Sequence, residues 1–223
     1  YIAQTSPDQL VNTLIADLEA CVGNANDQFP QLTYTKGRFT KNGIRALIAD
    51  MALWQGDYQK CVQYCNDVLT DTKNFLTLES YSKYNYNVFI VGNSTESIFE
   101  LQFSNALSQT NSFMNWFGGT QDVISTANGR YFYTSAISYM RLASLAPTDV
   151  RGAGGSYPAT TTTYNYTTVW KYYGSDMQGT VRNDLENDQN WIIYRLAEVY
   201  LMKAEALALQ QDFSGAIDIL NDV

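Results

Sequence analysis

Arg195-Leu-Ala-Glu-Val-Tyr-Leu-Met-Lys-Ala-Glu-Ala206 lies inside a longer run, Asn190 to Gln210, that reads as one helix. Trp191, Ile192, Leu196, Ala197, Val199, Leu201, Ala204 and Leu207 put apolar side chains on nearly every face of it. A helix that is apolar all round is buried. Gln211-Asp212-Phe213 interrupts the pattern, and Ser214 to Val223 begins another helix. Two helices joined by so short a turn run antiparallel. Apart from Lys203, the charges on the stripe are Arg195, Glu198 and Glu205. Arg195 and Glu198 stand three residues apart, which suits an internal ion pair that fixes how hairpins stack.

The pattern occurs a second time near the start of the chain. Lys41 to Gln55 reads as a helix with Ile44, Leu47, Ile48, Met51 and Ala52 on one broad face. Gly56-Asp57 breaks it. Tyr58 to Leu69 follows as a helix with Cys61, Val62, Cys65, Val68 and Leu69 inward. At an offset of 155 residues Asp57 matches Asp212, Ala49 matches Ala204, Cys61 matches Ala216, Val62 matches Ile217 and Asn66 matches Asn221. Small residues at Ala49/Ala204 and Cys61/Ala216 fall where the tetratricopeptide pattern places them, so that two helices approach closely. The pattern is degenerate, since no Trp-x2-Leu-Gly precedes it. A further helix opens the chain: Ser6 caps it, Pro7 sits at the first helical position and Gln9 completes a capping box. Its stripe is Leu10, Leu14 and Leu18, with Val11, Ile15 and Val22 beside it, and Gly23-Asn24 ends it. Residues 24–40 read as loop.

Between the hairpins, residues 74–180 are rich in Tyr, Phe, Asn, Ser, Thr and Gly. Glu96 to Phe103 alternates as a short strand does. Ala136 to Leu145 reads as a short helix ending before Pro147, and Gly152 to Thr168 as loop. Long insertions of this kind in a helical scaffold are functional or disordered, and aromatic density argues against disorder. The fold class is therefore mainly α: tetratricopeptide-like helix hairpins with a long irregular, partly β insertion. One domain is expected over residues 1–223, with the helical scaffold at 6–70 and 190–223 and a ligand-binding insertion at 74–180.

Composition excludes several functions. The 223 residues carry 14 Lys and Arg against 22 Asp and Glu, a formal charge of −8, so the basic footprint of a nucleic-acid binder is missing. An anionic membrane surface is unattractive for the same reason. The absence of His removes Ser-His-Asp and Cys-His nucleophilic machinery and His-based zinc sites. Cys21, Cys61 and Cys65 form no CxxC or four-cysteine pattern and read as small apolar core residues. No run reaches the roughly 20 apolar residues of a membrane-spanning helix. Tyr1-Ile-Ala-Gln-Thr5 does not read as a signal peptide, so a targeting segment, if there is one, lies outside this chain. Asp184-x-Glu186-x-Asp188 suggests a calcium loop, but Gln189 and Arg195 stand where such a loop needs Gly and Glu. No metal or catalytic residue is assigned.

The ordered set of pieces resembles a known family. Arg195 to Ala206 looks like the signature helix of SusD/RagB-like proteins. Asp17-Leu18-Glu19, the Ala46 to Val68 hairpin, Thr95-Glu-Ser-Ile-Phe-Glu100, Asp149-x-Arg151 and Trp170-Lys-Tyr-Tyr173 stand in the matching order. The resemblance implies a surface-exposed lipoprotein of a Gram-negative outer membrane that has no cofactor and is not an enzyme. It implies binding of oligosaccharide or polysaccharide and delivery to a SusC-like TonB-dependent transporter. The family's signal peptide and lipidated Cys are not in this sequence, which stops inside its last hairpin, so a longer protein is expected. Two other readings compete. One is a tetratricopeptide-type protein-interaction scaffold, which needs no insertion of over a hundred aromatic- and amide-rich residues. The other is a glycoside hydrolase working with acids such as Asp184, Glu186 and Asp188, or Asp149 and Asp176.

Sugar capture needs aromatic faces for pyranose C–H surfaces and polar side chains for hydroxyls. The candidate stacking residues are Trp116, Phe117, Tyr131, Tyr164, Tyr166 and Trp170, with Asn115, Gln121, Asn128, Arg130 and Asn165 as polar partners. Trp116 leads, because Asn115-Trp-Phe-Gly-Gly119 has the composition of an exposed aromatic loop.

Overall fold

The computed structural model describes residues 4–81, 83–111, 172 and 188–223. In chain order its elements are α1 (Pro7–Val22), α2 (Leu32–Gly37), α3 (Lys41–Gln55), α4 (Tyr58–Leu69), a π-helical turn (Tyr86–Val91), β1 (Ser97–Leu101), a 3-10 turn (Asn105–Leu107), β2 (Trp191–Arg195), α5 (Leu196–Leu209) and α6 (Phe213–Asn221). The chain divides into two compact units. One comprises Tyr1–Leu78, Thr95–Glu100 and Ile192–Val223, the other Glu79–Ser94 and Leu101–Trp191.

The first unit is the helical scaffold, mainly α as its periodicity implies. α3 packs on α4, α4 on α5 and α5 on α6, while α1 lies on α3. Ala46, Ala49 and Ala52 of α3, Cys61, Cys65 and Val68 of α4, and Leu196, Val199, Met202 and Ala206 of α5 form one buried cluster with Ile98 and Tyr194. Alanine and cysteine at these positions let helix backbones approach closely. A smaller cluster joins Ile15 of α1 to Ile44 and Ile48 of α3, with Val11, Leu18 and Val22 packed against it. The inward stripe of α1 is thus Val11, Ile15, Leu18 and Val22, while Leu10 and Leu14 face solvent. α6 also leaves Phe213, Ile217 and Leu220 exposed.

Local chemistry sets the helix ends. Ser6 Oγ accepts the Gln9 N–H at 3.3 Å and Pro7 follows at the first helical position. Thr40 Oγ accepts from the Gly43 N–H at the start of α3. Asp57 caps α4 through the Lys60 N–H at 3.1 Å, and Asp212 caps α6 through the Gly215 N–H at 3.0 Å. The backbones of the two aspartates agree, with φ/ψ of −83/71 and −87/73. The residue before each aspartate is left-handed: Gly56 at φ 80 and Gln211 at φ 68. The internal repeat therefore extends to its turn, but only the first copy uses the residue that adopts this conformation without steric cost. Gln211→Gly is expected to raise stability by about 0.5–1 kcal/mol and Gly56→Ala to lower it by about 1 kcal/mol, both measured by urea denaturation.

Four expectations are corrected. Leu32–Gly37 forms a short helix within the stretch expected to be loop. The run expected as one helix from Asn190 begins as strand: Trp191–Arg195 pairs with β1, and helix starts only at Leu196. Trp-Ile-Ile-Tyr are β-formers, and a short apolar run satisfies a buried strand as well as a buried helix. Arg195 consequently sits in extended backbone at the helix cap and pairs with Glu96, not Glu198; Glu198 and Glu205 are exposed. Cys61 and Cys65 are fully buried thiols with sulfurs 4.0 Å apart, but Cys21 is exposed. The Ala136 to Leu145 and Gly152 to Thr168 expectations lie outside the described residues.

Candidate functional site

Asn115, Trp116, Phe117, Gln121, Asn128, Arg130, Tyr131, Tyr164, Asn165, Tyr166 and Trp170 all lie outside the described residues, as do Asp149, Asp176, Asp184 and Glu186. What is described of the second unit is a frame of aromatic rings and carboxamides.

Four rings form a chain of contacts. Tyr84 and Phe89 meet edge to face at 5.5 Å, Phe89 and Tyr172 likewise at 5.5 Å, and Tyr172 stacks on Trp191 at 6.3 Å with planes 12° apart. Pairs of this kind add about 0.5–1.5 kcal/mol each beyond area burial. Phe89 is buried; Tyr172 and Trp191 keep part of their surface accessible.

The carboxamides bind one another and the backbone. Asn93 and Gln102 exchange hydrogen bonds at 3.1 and 2.9 Å. Asn190 Nδ2 donates to Gln102 Oε1 at 3.1 Å, and its Oδ1 accepts the Phe103 N–H at 3.1 Å. Gln189 Nε2 donates to the Phe89 carbonyl at 2.6 Å, and the Gln189 carbonyl accepts from Asn111 Nδ2 at 3.0 Å. These groups hold residues 188–191 in place. Of the Trp170-Lys-Tyr-Tyr173 stretch that carries part of the family resemblance, Tyr172 is described, stacked on Trp191. Trp191 was assigned to a helix on its apolar pattern. Its strand position and its partner 19 residues away are set by tertiary pairing, which that pattern does not encode.

Among the described residues, the buried charges lie in the first unit. Glu100 is wholly inaccessible, Glu96 is 2% exposed and Lys36 is 5% exposed. Glu96 pairs with the Arg195 guanidinium. Lys36 Nζ donates to the Ser97 carbonyl, and the Glu100 charge acts on it. These are architectural contacts in a scaffold rather than an open pair of acids, which a hydrolase would need on either side of a bound sugar. Among the described residues there is no group of three His, Cys, Asp or Glu that could hold a metal ion, and no helix long and apolar enough to cross a membrane.

Burial drives the Lys36 ammonium down to a pKa of about 8, with the Glu100 charge opposing. From pH about 8 to about 10 the unfolded chain keeps this proton while the folded chain has released it. Stability is therefore expected to rise with pH across that window, by about 2 kcal/mol. Above about pH 10 the sign reverses. Burial pushes the hydroxyls of Tyr194 and Tyr64 up, as do their partners Asp50 and Glu19, so the unfolded chain loses those protons first. Denaturant titrations through the window measure the rise, and Lys36→Met is expected to flatten it.

Three comparisons bear on this architecture. Residues 145–223 match the family described as the SusD family. SusD-like protein P2 of Formosa agariphila is 23% identical over 99% of this chain and 47% of its own length. Among solved structures, a SusD superfamily protein of Bacteroides thetaiotaomicron superposes with a TM-score of 0.72 at 23% identity, covering 96% of this chain and 46% of that one. A laminarin-binding SusD-like protein superposes with a TM-score of 0.67 at 23% identity, covering 96% of this chain and 54% of that one. These structural likenesses establish the fold. The chain spans about half the length of the relatives it matches.

Proposed function

We propose that this SusD-like chain, which matches the SusD family over residues 145–223, captures oligosaccharide or polysaccharide without cleaving it. In this reading the scaffold at 6–70 and 190–223 carries the insertion at 74–180, and the insertion meets the sugar. The protein works at the cell surface as an outer-membrane lipoprotein and hands its ligand to a SusC-like TonB-dependent transporter. The observation that carries the reading is the fold, shared over 96% of the chain with a protein that binds laminarin. The acidic, His-free composition supports an uncharged ligand rather than nucleic acid. The aromatic and carboxamide frame around Tyr172 and Trp191 has the chemistry of a sugar site: flat apolar faces beside neutral hydrogen-bonding groups.

Affinity electrophoresis against a polysaccharide panel that includes laminarin, with a reducing-sugar assay on the same samples, tests this. Retardation without sugar release is expected, and Trp116→Ala or Trp170→Ala is expected to weaken it roughly tenfold, on the scale of about 1–3 kcal/mol for losing one buried aromatic contact. Release of reducing sugar overturns the non-catalytic reading. Neither retardation nor release shifts the function to the protein-interaction scaffold.

A further inference from the structure

We infer that one ordered water molecule occupies a small cavity of mixed polar and apolar lining between α2, α3 and β1 and joins the three. The cavity has a volume of about 10 Å³, and its lining includes Lys36, Thr40, Asn42, Ser97 and Ile98. Asn42 and Ser97 are each 1% exposed, and Lys36 and Thr40 are nearly as deeply buried. No protein atom pairs with Asn42 Nδ2 or with Ser97 Oγ. Several other polar groups there are engaged. Asn42 Oδ1 accepts from Arg45 at 2.9 Å, Thr40 Oγ accepts the Gly43 N–H, and Lys36 gives one N–H to the Ser97 carbonyl.

A buried polar group without a partner is costly, and native structures satisfy nearly all of them, by solvent where protein cannot reach. The orphaned groups match a single water. It accepts from Asn42 Nδ2 and from a remaining N–H of Lys36, and it donates to Ser97 Oγ. That gives about three hydrogen bonds, which is usual for a buried water, in a space that admits one water-sized sphere. A small anion would be satisfied by donors alone, but the buried Glu100 carboxylate already acts on the Lys36 charge and would repel it. The water thus lets a lysine on the short helix α2, an amide at the start of α3 and a strand hydroxyl share one buried polar junction.

A high-resolution crystal structure of this chain tests the inference. The expected result is one density peak within hydrogen-bonding distance of Asn42 Nδ2, Ser97 Oγ and Lys36 Nζ, with no anomalous signal there after a bromide soak. A bromide peak overturns it in favour of an anion site. Absent density, or a direct Asn42–Ser97 hydrogen bond, overturns it outright. In solution, water-oxygen relaxation dispersion counts long-lived waters. Ser97→Val, which fills the space with methyl groups, is expected to lower that count by one, and Asn42→Leu does the same from the opposite wall. An unchanged count in a folded variant sinks the proposal.

Discussion

Arg195→Met lowers the stability of the fold by about 3–5 kcal/mol, the usual cost of removing one member of a buried ion pair. Glu96 is only 2% exposed, and its carboxylate, just before β1, meets the Arg195 guanidinium at the end of β2. The same residue's carbonyl accepts the Leu196 N–H at 2.8 Å, where β2 becomes α5. The pair therefore holds the junction at which strand turns into helix. Glu96→Gln combined with Arg195→Met is expected to recover most of the loss, because neither charge of this pair then remains. Urea denaturation of the two single variants and the double variant closes the cycle. A single-variant cost under about 1 kcal/mol would mean that the carboxylate is neutralised from elsewhere.

Ala49→Leu is expected to cost about 3 kcal/mol, at the upper end of overpacking. Ala49 is wholly buried in the cluster that α3, α4 and α5 share, so three added carbons have nowhere to go without moving a helix. The equivalent change one repeat later, Ala204→Leu, is expected to cost only about 1–2 kcal/mol. Ala204 is also buried, but α6 is short and has an exposed outer face with room to shift. Thermal melts of the two variants give the comparison. Equal losses would show that the two hairpins are equally constrained, and the repeat would then extend to energetics as well as geometry.

The hairpins could be read from sequence because their signals are local. An aspartate three residues before the N–H it caps, a left-handed residue before it and apolar side chains every three or four positions are all contained in about thirty residues. The strand β2 could not be read that way. Trp191-Ile-Ile-Tyr194 is as apolar as a buried helix, and what makes it a strand is pairing with β1, about ninety residues earlier. Arg195 failed for the same reason: Glu198 is its neighbour in sequence, but Glu96 is its neighbour in space. α1 was half read, since Leu10, Leu14 and Leu18 and Val11, Ile15, Leu18 and Val22 are both acceptable helical stripes. Only the position of α3 selects the second. In the candidate site, the aromatic and amide character was visible in composition. The Tyr172–Trp191 stack was not, because it joins residues on separate segments. The assignments from Asn115 to Trp170 remain proposals that the binding experiment addresses.

The placement of the three thiols gives the scaffold a chemical clock. Cys21 is open to solvent, whereas Cys61 and Cys65 are sealed in the seam where α4 meets α3 and α5. The hydrogen bond with Cys61 and burial push the Cys65 thiol far up, so it offers almost no thiolate to a labelling reagent while the seam is closed. Reagent therefore reaches Cys21 at once and reaches the other two only during excursions in which the helices part. The ratio of the two labelling rates, corrected for intrinsic reactivity, is then the opening equilibrium of the hairpin stack. Opening of this scaffold can thus be timed, with and without sugar, using side chains it already carries.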